Sequence, residues 1–218
     1  NELRRHVEPE LGEVTVTGAA YKVMLSRLTT KLLNISLRAL IQHFSESGRS
    51  YQEYRDEMAT TAGHEAVFRR FPVLARDIES AVRMYTDAVT EILLHLDADF
   101  HRLVECSMLD ESDRGLVSLE SHQGDTHRRG RSVSIIKIGS SSLVYRPTRT
   151  AGFGLYRAIV QELSLGSCMR CPRIFERASH MWVEYVPQAE KPIDATDHLR
   201  KMGALAAIAS GCGATDLH

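Results

Sequence analysis

Three short polar clusters stand outside the periodic apolar stretches of this 218-residue chain. The first, Gly124-Asp125-Thr126-His127-Arg128-Arg129-Gly130-Arg131, brings a carboxylate close to a group that titrates near neutrality, between glycines that free the backbone. Such a pair can take and return a proton, and the same composition also suits a solvated turn. The second, Val144-Tyr145-Arg146-Pro147, ends a β-type run on a cation. A strand-borne cation beyond a hairpin turn is where kinase-like folds hold positive charge against nucleotide phosphates, although surface strands also end in Arg. The third, Gly213-Ala214-Thr215-Asp216-Leu217-His218, places Asp and His directly behind a helical pattern. That is the layout of a catalytic loop in phosphoryl transfer, and also of a plain helix cap.

The elements that must position these clusters follow from apolar spacing. Val23, Leu28, Leu32, Ile35, Leu40, Ile41 and Phe44 predict a helix over 20–44, broken by 45–50 around Gly48 and followed by a shorter helix over 51–58. Pro72 suits a first helical turn. Leu74, Ile78, Ala81, Tyr85, Val89, Ile92, Leu96, Phe100 and Leu103 then predict a second long helix. After Gly115 the pattern changes. Ser132–Ile138 and Leu143–Tyr145, joined through 139–142, read as a β-hairpin. A helix over 154–163 follows, then a strand pair over 173–176 and 181–186 that stops at Pro187. A last helix begins near Thr196 or Asp197 and ends at Gly211 and Gly213. The expectation is an α+β fold: a helical layer over 20–106, then a small mixed sheet with one crossing helix over 132–186.

Composition narrows the classes of function. A 43% hydrophobic and 25% charged chain is ordinary globular material, and a net charge of −1 lacks the basic excess that phosphate-backbone binding uses, so nucleic acid is not the expected partner. No apolar run approaches the roughly 20 residues of a bilayer span. The chain opens at Asn1 without an apolar signal segment, and its polar, untapered end at His218 reads as an excerpt of a longer polypeptide. Cys106, Cys168, Cys171 and Cys212 are too scattered for a disulfide framework, which fits a reducing cytoplasm; Cys168-Met169-Arg170-Cys171 lacks the second ligand pair of a structural zinc site.

Hairpin, cationic strand, helix, second hairpin, extended link, helix and Asp-bearing loop run in the order of a kinase N-lobe entering its C-lobe. One part is missing from that order: no GxGxxG loop precedes Arg146. Gly139-Ser140-Ser141-Ser142 is a poor substitute, and Gly152-Phe153-Gly154 comes too late.

Four segments, Gly124–Val133, Leu143–Pro147, Trp182–Val186 and Gly213–His218, together resemble the dehydratase domain of class II lanthipeptide synthetases, the LanM type. The likeness continues upstream in looser form through Phe71–Arg76. It implies a helical region over 1–115 and a lipid-kinase-like lobe over 116–218 that ends at the catalytic loop, with the zinc-bearing cyclase domain absent. The implied activity uses ATP and Mg2+ to phosphorylate Ser and Thr of a precursor peptide and then eliminates phosphate to leave dehydroamino acids.

Position by position, the resemblance assigns Asp125 and His127 to the phosphate-proximal loop and Asp216 and His218 to the catalytic loop. Arg146 stands where the family usually has Lys, which exchanges a compact ammonium for a planar fork. An ionised Asp216 would accept or orient the proton of the substrate hydroxyl, with Arg146 and magnesium opposite the developing charge. His127 and His218 are candidates for the proton transfer in elimination. The family's magnesium-binding Asp is expected beyond His218, so this stretch alone is expected to be inactive. A kinase-like phosphotransferase without elimination and a non-catalytic helical binding module are the alternatives.

Overall fold

The computed structural model of the chain describes residues 8–121, 130–149, 152–167, 169–187 and 194–213. It is α+β, helical first, and divides into two compact units at Tyr145–Arg146. That division falls inside the 116–218 segment expected to carry the kinase-like lobe.

In the first unit, helix α1 spans Gly18–Ser47. The Thr17 hydroxyl accepts a bond from the Ala20 amide at its start, and Gly48 closes it in the left-handed conformation at φ 65°. The helix thus runs to Ser47, past the start of the expected break. Helix α2, Tyr51–Met58, opens on a capping box in which Ser50 and Glu53 satisfy each other's amides.

Helix α3, Thr61–Arg70, was not anticipated: its apolar residues are too few to mark a stripe, and it is fixed instead by its Thr60 cap and by packing. Gly63 is the contact point. A Cβ there would lie on the Glu57 carbonyl oxygen at the end of α2. Gly63→Ala, which in a free helix would stabilise, is therefore expected to destabilise by about 1–3 kcal/mol through overpacking. Chemical denaturation checks this, and an unchanged or raised midpoint would remove the close approach from the account.

Helix α4, Pro72–Glu105, carries Pro at its first turn and buries Leu74, Ala81, Tyr85, Val89, Ile92, Leu96, Phe100 and Leu103. Ile78, of the predicted stripe, is only half-buried and lines an apolar cavity of about 340 Å3 among α1 to α4. The Tyr85 hydroxyl donates to the Met24 carbonyl at 2.8 Å, tying α4 to α1.

Strand β1, Thr15–Val16, pairs parallel with β2, Gly115–Glu120. Strand β2 pairs antiparallel with β3, Ser134–Ile138, and β3 with β4, Ser141–Arg146. Leu116, Leu119, Ile136, Ile138, Leu143 and Tyr145 form the buried face. Neither β1 nor β2 was expected. The β2 register shifts between Leu116 and Ser118, so its buried leucines are three apart and the period of two is lost. Strand β1 is too short to show any period.

The predicted hairpin is present, with a tighter turn. Ile138 pairs with Ser141, so Gly139-Ser140 is the whole loop, and Gly139 takes φ 52° as its first residue.

The second unit contains helix α5, Gly152–Glu162, the antiparallel hairpin of β5, Ile174–Glu176, and β6, Met181–Glu184, and helix α6, Ala195–Gly211. The β6 strand ends at Glu184, short of Val186. The α6 cap is Asp194, whose carboxylate accepts from the Thr196 amide at 3.0 Å, two residues upstream of the first expected cap. Trp182 and Met181 are fully buried, whereas Leu199 and Met202 of α6 are exposed. Among the described residues no helix is long and apolar enough to cross a membrane.

Candidate functional site

Arg146 is the one predicted site residue that lies among the described residues. Alternation along β4 buries Leu143 and Tyr145 and leaves Val144 and Arg146 half-buried on the other face. The Arg146 guanidinium lies 5.5 Å from the centroid of the Phe153 ring in the first turn of α5, a cation–π distance. Its Nε is buried and has no hydrogen-bond partner among the described residues. A buried donor left unmatched costs on the order of 1–3 kcal/mol, and an anionic ligand is the partner that best satisfies a guanidinium. This position therefore suits a phosphate-bearing group.

The β3–β4 turn does not. Asp113, only 3% exposed, sits directly behind it. Its carboxylate accepts from the Ser140 amide at 2.8 Å, from the Ser140 and Ser141 hydroxyls, and from the Asp110 amide at 3.2 Å. Burial opposes ionisation, but these bonds outweigh it and hold the Asp113 carboxyl below its ordinary range. The donors a phosphate loop would offer are already committed to a carboxylate, and that carboxylate would repel an incoming phosphate. The doubt the sequence raised about Gly139–Ser142 thus gains a physical cause.

Asp125 and His127 fall in 122–129, and Asp216 and His218 in 214–218; all of these lie outside the described residues, as does Cys168. The described residues that flank 122–129 are held on α4. Ser121 is buried and hydrogen-bonds the Tyr85 hydroxyl. Gly130, at φ 80°, packs so closely on Met84 that a Cβ would come within 3.0 Å of the Met84 Cβ. Arg131 Nε donates to the Glu91 carboxylate at 2.8 Å.

One polar pair was missed by sequence reasoning. His95 Nδ1 and the Tyr145 hydroxyl are 2.9 Å apart. Burial, reinforced by the nearby Glu91 carboxylate, pushes the Tyr145 hydroxyl far above its usual range, so it stays protonated and can donate to the ring. The signal was present: Glu91, His95 and Asp99 recur every fourth residue along α4, beside its apolar stripe. Tyr145→Phe is expected to cost about 1 kcal/mol by thermal denaturation, the worth of one ordinary hydrogen bond. An unchanged stability would mean that the pair contributes nothing.

The likeness to known proteins bears on this arrangement. A curated relative, the lacticin 481/lactococcin biosynthesis protein LcnDR2 of Lactococcus lactis subsp. lactis, is 26% identical over 184 residues, covering 77% of this chain. The chain spans 19% of that relative's length. Residues 71–218, from just before α4 onward, match the family described as Domain of unknown function (DUF4135). The chain thus belongs to the DUF4135 family, the domain associated with LanM-type lanthipeptide synthetases.

Proposed function

We propose that this chain is part of a lanthipeptide synthetase dehydratase of kinase-like type, acting on Ser and Thr of a precursor peptide. The observation that carries the reading is the half-buried Arg146, a strand-end cation whose Nε lacks a partner among the described residues, in a chain of the DUF4135 family. ATP with magnesium would supply the phosphoryl group.

In the first stage Asp216 accepts the proton of the substrate hydroxyl as its oxygen bonds to phosphorus and ADP departs. Arg146 holds positive charge against the phosphate oxygens. In the second stage His127 or His218 takes the α-proton, the Cα–Cβ double bond forms, and the Cβ–O bond breaks to release phosphate. Asp125 stands close to His127 in sequence, where a carboxylate can orient an imidazole.

The full-length polypeptide carrying this chain, incubated with ATP, magnesium and a Ser/Thr-rich precursor, is expected to give peptide lighter by one water per modified residue. Phosphopeptide without dehydration would favour the plain phosphotransferase, and unmodified peptide the non-catalytic module.

Arg146 supplies a finer test. Arg146→Ala is expected to slow phosphopeptide formation on the order of 10²-fold, comparable to losing one preorganised donor at developing charge. Arg146→Lys should retain activity, because the charge is kept and the compact ammonium can still reach a phosphate. The initial rate by peptide mass checks both, and wild-type speed in Arg146→Ala would remove this residue from the site.

A further inference from the structure

The first unit holds a cavity for which the proposed reaction has no use. About 340 Å3 of space opens where α1, α2, α3 and α4 meet, all within that unit. Its apolar walls are not sealed by packing: Leu40 of α1, Met58 of α2 and Ile78 of α4 are half-buried, and Phe68 of α3 is 38% exposed. Ile78 follows the buried Leu74 by four residues and precedes the buried Ala81 by three, so it lies on the inward stripe of α4. The open space in front of it is why its burial stays incomplete. These walls offer apolar side-chain surface to a small molecule.

One buried polar side chain in that lining has no partner. Ser36 of α1 is only 8% exposed, and its hydroxyl makes no hydrogen bond among the described residues. A hydroxyl inside a helix commonly turns back to the carbonyl four residues earlier, as Thr30 does to Ser26 at 3.0 Å and Thr86 to Val82 at 2.9 Å. Ser36 makes no such bond and keeps both its donor and its acceptor for the cavity. The Tyr54 hydroxyl is already engaged, 3.1 Å from His43 Nδ1 and 3.3 Å from the Leu40 carbonyl oxygen. Arg55 is exposed to water beside Asp56 at 3.5 Å, and no carboxylate lines the cavity among the described residues. No buried charge therefore calls for a charged ligand.

We propose that this cavity binds a neutral aromatic small molecule of two fused rings carrying one hydroxyl, its rings against Met58, Phe68 and Ile78 and its hydroxyl on Ser36. Size sets the ring count: an apolar cavity of about 150 Å3 holds one benzene, and this one is roughly twice as large. The lining sets the ring type. Tyr51, Tyr54 and Phe68 present aromatic rings and Met58 a thioether, and both attract another aromatic ring. A ligand hydroxyl can give and take one hydrogen bond, as the Ser36 hydroxyl can. Binding needs neither ATP nor turnover, so it is independent of the phosphoryl-transfer reading.

Titration of the chain, isotope-labelled at its methionine methyls, with 2-naphthol tests it by NMR. The Met58 methyl signal is expected to shift and saturate with a Kd on the order of 10–100 µM, while that of Met181, buried in the second unit, stays in place. Ser36→Ala suits a helix and should keep the melting profile. It should weaken 2-naphthol about fivefold to tenfold and leave 2-methylnaphthalene, which has a methyl in place of the hydroxyl, unchanged. The anion 2-naphthoate should bind more weakly than 2-naphthol, because its charge must leave water without a buried partner. No saturable shift at Met58, an equal shift at Met181, unchanged 2-naphthol affinity in Ser36→Ala, an equal loss for 2-methylnaphthalene, or tighter binding of 2-naphthoate would each overturn the proposal. The Met58 and 2-naphthoate measurements use the wild-type chain and decide even if Ser36→Ala does not fold.

Discussion

Replacing Asp216 with Asn in the full-length polypeptide that carries this chain is expected to abolish phosphorylation and dehydration together. The substitution keeps size and shape and removes the carboxylate proposed to take the substrate proton. Without that acceptor the hydroxyl must attack as a neutral group, and positioned general bases are commonly worth about 10²–10⁴-fold in rate. In the proposed two-stage reaction dehydration requires the phosphorylated intermediate, so the second step is expected to fail with the first. Supplying chemically phosphorylated precursor separates the two: elimination from it should survive in Asp216→Asn if the histidines perform that step. Dehydrated product from unphosphorylated precursor at wild-type rate would remove Asp216 from the proposed role.

The largest structural effect is expected at Asp113. Its carboxylate gathers the Ser140 and Asp110 amides and the Ser140 and Ser141 hydroxyls behind the β3–β4 turn. Asp113→Ala leaves buried donors unmatched and is expected to cost about 3 kcal/mol. Asp113→Asn, which presents its own donors to donors, should recover only part of that.

The sign of the pH dependence follows from the direction of the shift. The folded-state pKa lies below the ordinary value of 3.8, so the carboxylate's contribution is complete above that value and fades as pH falls through the folded-state pKa. The stability gap between wild type and Asp113→Asn should therefore be constant near neutrality and close in acid, read from urea midpoints across pH. A gap that stays constant into strong acid would mean that ionisation is not what holds the turn. Gly139 belongs to the same unit: a Cβ there would lie on the Asp113 carboxylate, and φ 52° disfavours any side chain.

The long helices were legible because each repeats one physical event many times. In α4 an apolar side chain meets the core every third or fourth residue over 34 residues, and no tertiary partner is needed to read that period. The β3–β4 hairpin was legible for a similar reason: a β-branched run, a Gly-led turn and a second short apolar run sit next to each other in the chain. The chemistry-bearing segments could be named by residue type, and Arg146 could be placed at a strand end. Strands β1 and β2 could not be read. Thr15 pairs with Gly115 a hundred residues away, and a bulge takes β2 out of step with its own pattern. Helix α3 is held by its Thr60 cap and by the close approach of Gly63 to Glu57, a condition set by its neighbour.

The pairing of polar groups was likewise a tertiary matter. Asp113 and Ser140 are 27 residues apart, and only the fold turns a candidate phosphate loop into a turn saturated by a carboxylate. His95 and Tyr145 are 50 apart. Ser36, Met58, Phe68 and Ile78 belong to four separate helices, and line one cavity only once those helices pack. Periodicity along the chain reports which face of an element meets the core; which side chains from different elements meet one another depends on packing that no local pattern encodes.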